Sequence, residues 1–412
     1  MMKSKSKNVT AAELEPEKKG KGVSLDDIRK GLKKFVPDSE PIAENTYSEI
    51  TGWIHSGNYH LNALISGSLF KGYPNNKCIQ FAGESGVGKT YLALNACREM
   101  QKAGYHILYF DSEGAIDLPT VIAQGIDPDR FDVQPVSEFN QFRSAVMNLA
   151  VNTFDAVRAG KPVPKVAVYL DSLGELPTAK EIKDALEGND ARDFTKPQVV
   201  RSLFRLITSK FTGAGIPFIY TNHTYGGPSQ VPVTSLSGGQ GQVYSPTAII
   251  TLSKAKLKES KENEKRQTGI IVTAKIFKNR LAKPNEIKFH IDFSKGMNPF
   301  IGMEEYFGWQ NCGIEKGIIY EEKEHSKLDA KEKAKCKEFD HDGKKLFFYP
   351  KETAKNYVVR HLGEALPFVK LFNEKVFTRQ VLEMIEENCI VPKFQYGVDE
   401  EIPEIEEFMN EE

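Results

Sequence analysis

The sequence predicts an α/β protein: a mainly parallel sheet flanked by helices, with a short helix before it and a small domain after it. Three observations predict this. Apolar, β-branched or aromatic runs recur at residues 78–82, 107–110, 166–170 and 218–221, and helical patterns lie between them. Apart from Gln80 and Thr221 these runs are continuously apolar rather than alternating, as strands covered on both faces must be. The first run leads directly into a glycine-rich loop, Gly83-Glu84-Ser85-Gly86-Val87-Gly88-Lys89-Thr90, and a helical pattern follows from Tyr91 until Gly104 stops it.

In chain order, residues 1–22 are rich in Lys and Glu, poor in apolar side chains, and expected to be disordered. They lack the apolar centre of a signal peptide, and no run in the chain approaches the ~20 apolar residues of a membrane span. Ser24 reads as an N-cap. Leu25, Ile28, Leu32 and Phe35 follow at helical spacing as one apolar stripe, and Pro37 ends it. Such a stripe docks on a neighbour or packs on its own domain. Helical segments are expected over 138–151 and 199–211. In the second, Val199, Val200, Leu203, Phe204, Ile207 and Phe211 share one face. The runs at 248–252, 270–276 and 287–293 sit close together and are expected as antiparallel additions. Residues 226–243, rich in Gly, Ser, Pro and Gln, form a long loop, and loops of that length inside a compact domain are usually functional. Residues 301–395 carry mixed helical and turn signals and are expected as a small C-terminal domain after a core at 77–300, with an acidic disordered tail from 396.

The five cysteines show no C-x-x-C spacing, which predicts free thiols in a reducing compartment. Cys312, His325, Cys336 and His341 fit no common zinc module. Net charge is −1 but uneven. Eight acidic and no basic residues lie in 399–412, so the remaining 48 acidic residues face 55 basic ones and leave a body at +7. That asymmetry suggests a polyanionic partner with which the tail competes; the alternative is a tail that serves solubility.

Strand, glycine loop, helix is the context that makes the G-x-x-x-x-G-K-T motif a phosphate-binding P-loop. Its glycines let backbone N–H groups face a triphosphate, and the helix N-terminus adds partial positive charge. Lys89 reaches the β- and γ-phosphates of ATP, and the Thr90 hydroxyl ligates Mg²⁺. In an open α/β sheet, ligands sit at the carboxyl ends of the strands. There the sequence offers Asp111-Ser112-Glu113, Asp171-Ser172 and Asn222-His223. Asp171 is the expected Mg²⁺ partner, and Glu113 the candidate to orient and deprotonate a water. Asn222 and His223 are candidates to sense the γ-phosphate, with ordinary turn chemistry as the alternative.

The ordered set goes further. The P-loop is followed by Tyr109-Phe110-Asp111-Ser112-Glu113-Gly114-Ala115-Ile116-Asp117, Tyr169-Leu170-Asp171-Ser172, Thr221-Asn222-His223-Thr224, Ser237-Gly238-Gly239-Gln240-Gly241 and Lys278-Asn279-Arg280. In that order the motifs resemble the RecA family of recombinases over about residues 40–300. Asn222-His223-Thr224-Tyr225, Asp171-Ser172-Leu173-Gly174 and the acidic C-terminus are most like the branch from T-even bacteriophages. The resemblance implies that Glu113 is the catalytic glutamate and that Asp117 contacts the adenine. It implies that His223, a glutamine in bacterial relatives, couples the γ-phosphate to the DNA loops. Lys278 and Arg280 then reach the neighbouring subunit's γ-phosphate, arginine standing where the family has lysine. Residues 226–244 correspond to the second DNA-binding loop and 181–196 to the first. Residues 53–63 lie in the family's subunit-contact segment, and 24–35 match its N-terminal helix. The cofactor set is ATP in the 83–91 loop, Tyr91 included, with Mg²⁺ at Thr90 and Asp171.

The residues fit DNA binding on their own terms. Gly238, Gly239 and Gly241 allow close backbone approach beside Gln240, Lys196 and Arg201 add charge, and Tyr225 and Tyr244 are the few stacking candidates. The run 254–266 reads as a solvated hairpin. The expected protein is an ATP-dependent recombinase that forms filaments of itself on single-stranded DNA and pairs it with double-stranded DNA. Mediator and single-strand-binding proteins are its expected partners, no membrane is involved, and a phage origin puts it in a bacterial host cytoplasm. The rivals are a hexameric helicase on the same core and an ATP-gated DNA-binding paralogue.

Overall fold

The computed structural model describes residues 23–36, 39–41, 47–189, 193, 195–224, 241–258 and 267–397. It divides into two units, Met1–Glu49 and Ile50–Glu412.

In the first unit, helix α1 (Leu25–Lys33) starts at a capping box. Ser24 Oγ accepts the Asp27 N–H, and the Asp27 carboxylate accepts the Ser24 N–H. Asp26 and Asp27 in the first turn and Lys30 and Lys33 in the last suit the helix dipole. Leu25, Ile28 and Leu32 stay exposed.

The second unit opens with β1 (Trp53–Ile54), the almost wholly buried α2 (Tyr59–Ser66) and β2 (Tyr73–Pro74), which pairs antiparallel with β1. The chain then runs β3 (Cys78–Gly83), α3 (Lys89–Lys102), β4 (His106–Asp111), α4 (Leu118–Ala123), β5 (Phe131–Pro135), α5 (Phe139–Arg158) and β6 (Val166–Asp171). It continues through α6 (Ala179–Leu186), α7 (Lys196–Ala214), β7 (Phe218–His223), α8 (Gly241–Tyr244), β8 (Ala248–Lys258), β9 (Gln267–Asn279) and β10 (Glu286–Asp292). Among the described residues these strands form one 8-stranded sheet in the order β10-β9-β8-β3-β7-β6-β4-β5.

Strands from β5 to β8 are parallel; β9 and β10 are antiparallel additions. The expectation that the run at 248–252 also adds antiparallel is corrected, since β8 lies parallel to β3. Residues 224–247 are long enough for the crossover a parallel neighbour needs.

Burial on both faces accounts for the unbroken apolar runs. Ile107, Tyr109, Ala167, Tyr169 and Ile219 share a core with α2 and α3. Their alternates Phe110, Val168, Leu170, Phe218 and Tyr220 share another with α5 and α7. On that second face Phe142, Val146 and Ala150 meet Val200, Leu203, Phe204, Ile207 and Phe211. Each such large side chain contributes about 1.5–3 kcal/mol by leaving water.

The C-terminal part differs from its expected mix of helices and turns. Strands β11 (Ile314–Glu321), β12 (Lys337–His341), β13 (Lys344–Pro350), β14 (Asn356–Val359) and β15 (Glu364–Pro367) form a 5-stranded antiparallel sheet, ordered β12-β13-β11-β14-β15. The strand signal was faint at the edges of this sheet, where β12 buries only Phe339 and β15 buries no residue. Trp309 stacks on Phe348 at 4.1 Å in a small core of this sheet. Met303, Tyr306, Ile314, Leu382 and Phe394, in contrast, join the core around α2 and α3. Among the described residues no helix is long and apolar enough to cross a membrane.

Candidate active site

Strands β3, β7, β6 and β4 are successive neighbours, so their carboxyl ends deliver the loop from Gly83, His223, Asp171 and Asp111 to one edge. Gly86 and Gly88 hold φ of +69° and +94°, left-handed values that favour glycine. A Cβ on Gly86 would also meet Lys254 Nζ at 2.8 Å. Val87 is buried and anchors the loop. Helix α3 starts at Lys89 with no side-chain cap, which leaves its first N–H groups for an anion.

Lys89 is buried, and its Nζ donates to the carbonyls of Gly83 at 2.9 Å and Glu84 at 2.8 Å. Burial lowers its pKa, while Glu113, Asp171 and Glu175 pull it back up. Asp171, 2% exposed, accepts from Tyr109 Oη at 2.9 Å and from Thr221 Oγ1, and it is hydrogen-bonded to Thr90 as well. Burial pushes its carboxyl above the ordinary value despite these bonds.

A buried carboxylate beside a threonine hydroxyl is a hard oxygen set. Among the described residues no group of three or more His, Cys, Asp or Glu is arranged to hold a metal ion. A cation at this place would therefore complete its shell with phosphate and water oxygens, the habit of Mg²⁺ rather than of a caged metal. The residues fit Mg²⁺.

The Asp111 carboxylate builds the turn that carries Glu113. Its Oδ1 accepts the N–H groups of Glu113 at 3.0 Å and Gly114 at 2.9 Å, and its Oδ2 that of Ile116 at 3.3 Å. Glu113 Oε1 lies 3.2 Å from His223 Nε2, and Glu175 Oε1 lies 3.5 Å from the same nitrogen. His223 Nδ1 is 3.5 Å from Lys89 Nζ. Asn222 is buried, and its Oδ1 accepts the His223 N–H at 2.9 Å. Glu84 and Ser85 lie in the loop, and Thr90 and Tyr91 lie in the first turn of α3. Tyr91 Oη accepts the Met297 N–H at 2.8 Å and lines an apolar cavity of about 530 Å³ with Gly86, Gly88, Ile291 and Phe293.

The structure does not gather every expected residue at this edge. Asp117 caps α4 by accepting the Thr120 N–H. Lys278 donates to the carbonyls of Val243 and Tyr244, and Arg280 to that of Tyr244. Lys196 pairs with Glu181 at 3.1 Å, and the Arg201 guanidinium sits 6.0 Å from the Tyr244 ring centroid. Gly241 begins α8, whereas Tyr225, Gly238, Gly239 and Gln240 lie outside the described residues.

Two site residues escaped sequence reasoning, and a third was read without a role. Asp111 was visible as a strand-end acid. Glu175 gave no signal. Lys254 was absorbed into the run read as a solvated hairpin; it is exposed on β8, and from there it also donates to Ser85 O at 3.1 Å and Gly86 O at 3.0 Å. Its position on β8, next to β3, brings it there.

A buried lysine over a glycine loop, with a threonine and carboxylate pair at its rim, defines a P-loop nucleotide-binding protein. The family model described as the RecA N-terminal domain matches residues 41–298, more than half of the chain, and the chain belongs to the RecA family. It is 31% identical over 247 residues to UvsX, the recombination and repair protein of Enterobacteria phage T4, covering 59% of this chain and 60% of that protein. Over 257 residues it is 28% identical to Protein RecA of Rippkaea orientalis, covering 60% of this chain and 66% of that protein. Protein RecA of Trichodesmium erythraeum is 24% identical over 291 residues, with 68% and 74% covered. The chain thus spans less than two thirds of the length of the first two relatives.

Proposed function

We propose that the chain is a DNA-dependent ATPase and recombinase that polymerises on single-stranded DNA, pairs it with homologous double-stranded DNA and exchanges strands. One observation carries the reading: Lys89, Asp171, Glu113 and His223 converge at one strand edge, in the motif order of the family to which the chain belongs. Lys89 leaves the carbonyls of Gly83 and Glu84 for the phosphates of ATP. Mg²⁺, held by Thr90 and Asp171, would neutralise phosphate charge. Glu113 accepts the proton of the attacking water. His223, in hydrogen-bond reach of Glu113, reports the γ-phosphate to the DNA loops. Lys278 and Arg280 serve the neighbouring subunit's nucleotide, and Asp117 faces the adenine. The cavity beside Gly86 and Phe293 suits the nucleoside.

DNA runs along the loops that include Lys196, Arg201, Tyr225, Gly238, Gly239, Gln240 and Gly241. The Lys196–Glu181 pair yields to a phosphate there. ATP favours the filament and hydrolysis releases it. Mediator and single-strand-binding proteins assist in a bacterial host cytoplasm.

The test incubates the chain with Mg²⁺, ATP, circular single-stranded DNA and a homologous linear duplex. ATP-dependent joint molecules and helical filaments in electron micrographs are expected. Closed rings that unwind directionally without exchanging strands, or turnover that DNA does not stimulate, would overturn the reading.

A further inference from the structure

His223 meets two carboxylates with one nitrogen. Its Nε2 lies 3.2 Å from Glu113 Oε1 and 3.5 Å from Glu175 Oε1. Its Nδ1 faces Lys89 Nζ at 3.5 Å. A lysine ammonium donates and never accepts, so a hydrogen bond in this contact has Nδ1 as its acceptor, and the ring proton that faces the two carboxylates is the one on Nε2. One N–H therefore stands between two acceptors and aims well at only one of them at a time.

The acceptors differ in their freedom. Glu113 follows β4 on a turn held by three N–H bonds to Asp111, and its side chain is 29% exposed. Glu175 ends the short turn Leu173–Glu175 after β6, and its side chain is 47% exposed. The groups facing the His223 ring are thus Glu113 beyond β4, Glu175 beyond β6 and Lys89 on α3.

We propose that Glu175 is a positioning residue for ATP hydrolysis: it takes the His223 N–H away from Glu113 and leaves the Glu113 carboxylate free for the attacking water. The inference rests on the reading of Glu113 as the base. A carboxylate that accepts an imidazole N–H is stabilised in its charged form and is a weaker proton acceptor. While Lys89 rests beside Nδ1, the ring is held facing Glu113. Once Lys89 turns to the triphosphate, that neighbour is gone and the N–H can swing to Glu175. Glu175 acts through His223.

The test compares Glu175→Ala, Glu175→Gln and Glu113→Gln in the full chain, by DNA-stimulated ATP hydrolysis. Glu175→Ala is expected to lower kcat about fivefold, with KM for ATP changed less than about twofold, because a transition-state interaction is lost and binding is not. Glu175→Gln keeps an oxygen that accepts the N–H and is expected to restore at least half of the loss. Glu113→Gln is expected to stop turnover.

An unchanged kcat in Glu175→Ala, beside a dead Glu113→Gln, overturns this inference alone. Equal losses in Glu175→Ala and Glu175→Gln also overturn it, since charge rather than the hydrogen bond would then matter. Turnover by Glu113→Gln overturns the assignment of the base, and this inference with it. A second readout uses ¹⁵N-histidine. A non-hydrolysable ATP analogue is expected to shift the His223 Nε2 resonance in the parent chain but not in Glu175→Ala. The same shift in both would overturn the proposal.

Discussion

Lys278 Nζ donates to the Tyr244 carbonyl at 2.7 Å, and Arg280 donates to that same carbonyl at 3.2 Å. Two cations thus grip the end of α8, where the long loop rejoins the sheet. They are not on the chain's own P-loop, whose carbonyls are taken by Lys89 and Lys254.

Burial, with the Arg280 charge beside it, brings Lys278 down to about 8. If its charge supports turnover, DNA-stimulated ATP hydrolysis should fall as pH rises through about 8. Lys278→Arg should hold its rate above that midpoint, because guanidinium stays protonated. Stability should move the other way. Between about 8 and 10.5 the unfolded lysine holds a proton that the folded one has lost, so this group's contribution to stability rises with pH across that window. pH–rate profiles and melting curves on the two chains check both signs.

Action across a subunit boundary makes a separate prediction. Lys278→Ala and Glu113→Gln should each be nearly inactive alone. When they are mixed on single-stranded DNA, some interfaces pair an intact Glu113 with an intact Lys278, and a fraction of the turnover should return. Cations supplied in trans are worth about 10³–10⁵ in rate in other phosphoryl-transfer systems, so even a small fraction is measurable. Mixed filaments with no recovered turnover would place Lys278 in service of its own subunit only.

What the sequence disclosed follows from how local each signal is. The Gly83–Thr90 loop announces itself because φ of +69° and +94° needs glycine at Gly86 and Gly88, and because a mostly apolar run precedes it and a helical pattern follows. Asp171, Glu113 and His223 were legible because strand ends point to one edge in a parallel sheet. Glu175 and Lys254 were not. Each reaches the site through pairings distant in sequence, Glu175 to His223 and Lys254 to Gly86. Two of the C-terminal strands were hidden for a different reason: with few buried residues, the edge strands β12 and β15 carry little periodicity. Lys196 looked like free charge because nothing in the chain order reveals its pairing with Glu181.

Lys254 makes its own prediction. Its Nζ bonds Ser85 O and Gly86 O from an exposed position, so the interaction is worth less than a buried charged bond. Lys254→Ala should loosen the loop and raise KM for ATP by about two- to fivefold with little change in kcat. Lys254→Arg should recover most of the affinity. Titration of a fluorescent ATP analogue checks this, and unchanged affinity in Lys254→Ala would show that the contact does not shape the loop.

Asp171 carries a cost that a cation should relieve. Its carboxyl is 2% exposed, surrounded by the hydroxyls of Thr221, Thr90 and Tyr109, and burial raises its pKa above the ordinary 3.8. The sign runs opposite to that of a salt-bridged aspartate. With a folded pKa above the unfolded one, the group favours folding when protonated, and that advantage is lost as pH rises through the folded value. Above that value and without metal, the ionised carboxylate opposes folding. Asp171→Asn keeps the shape and removes the charge. The variant should therefore melt higher than the parent, by about 2–4 °C, when both lack Mg²⁺ and nucleotide. Adding Mg²⁺ with a non-hydrolysable ATP analogue should raise the parent's Tm, because the ligands bind only the folded chain, and should do much less for Asp171→Asn. Calorimetry of both chains, with and without ligands, reads four temperatures. A variant that melts lower without ligands would mean that hydrogen bonds to the carboxylate outweigh its desolvation. A variant that gains as much as the parent from Mg²⁺ would remove Asp171 from the metal site.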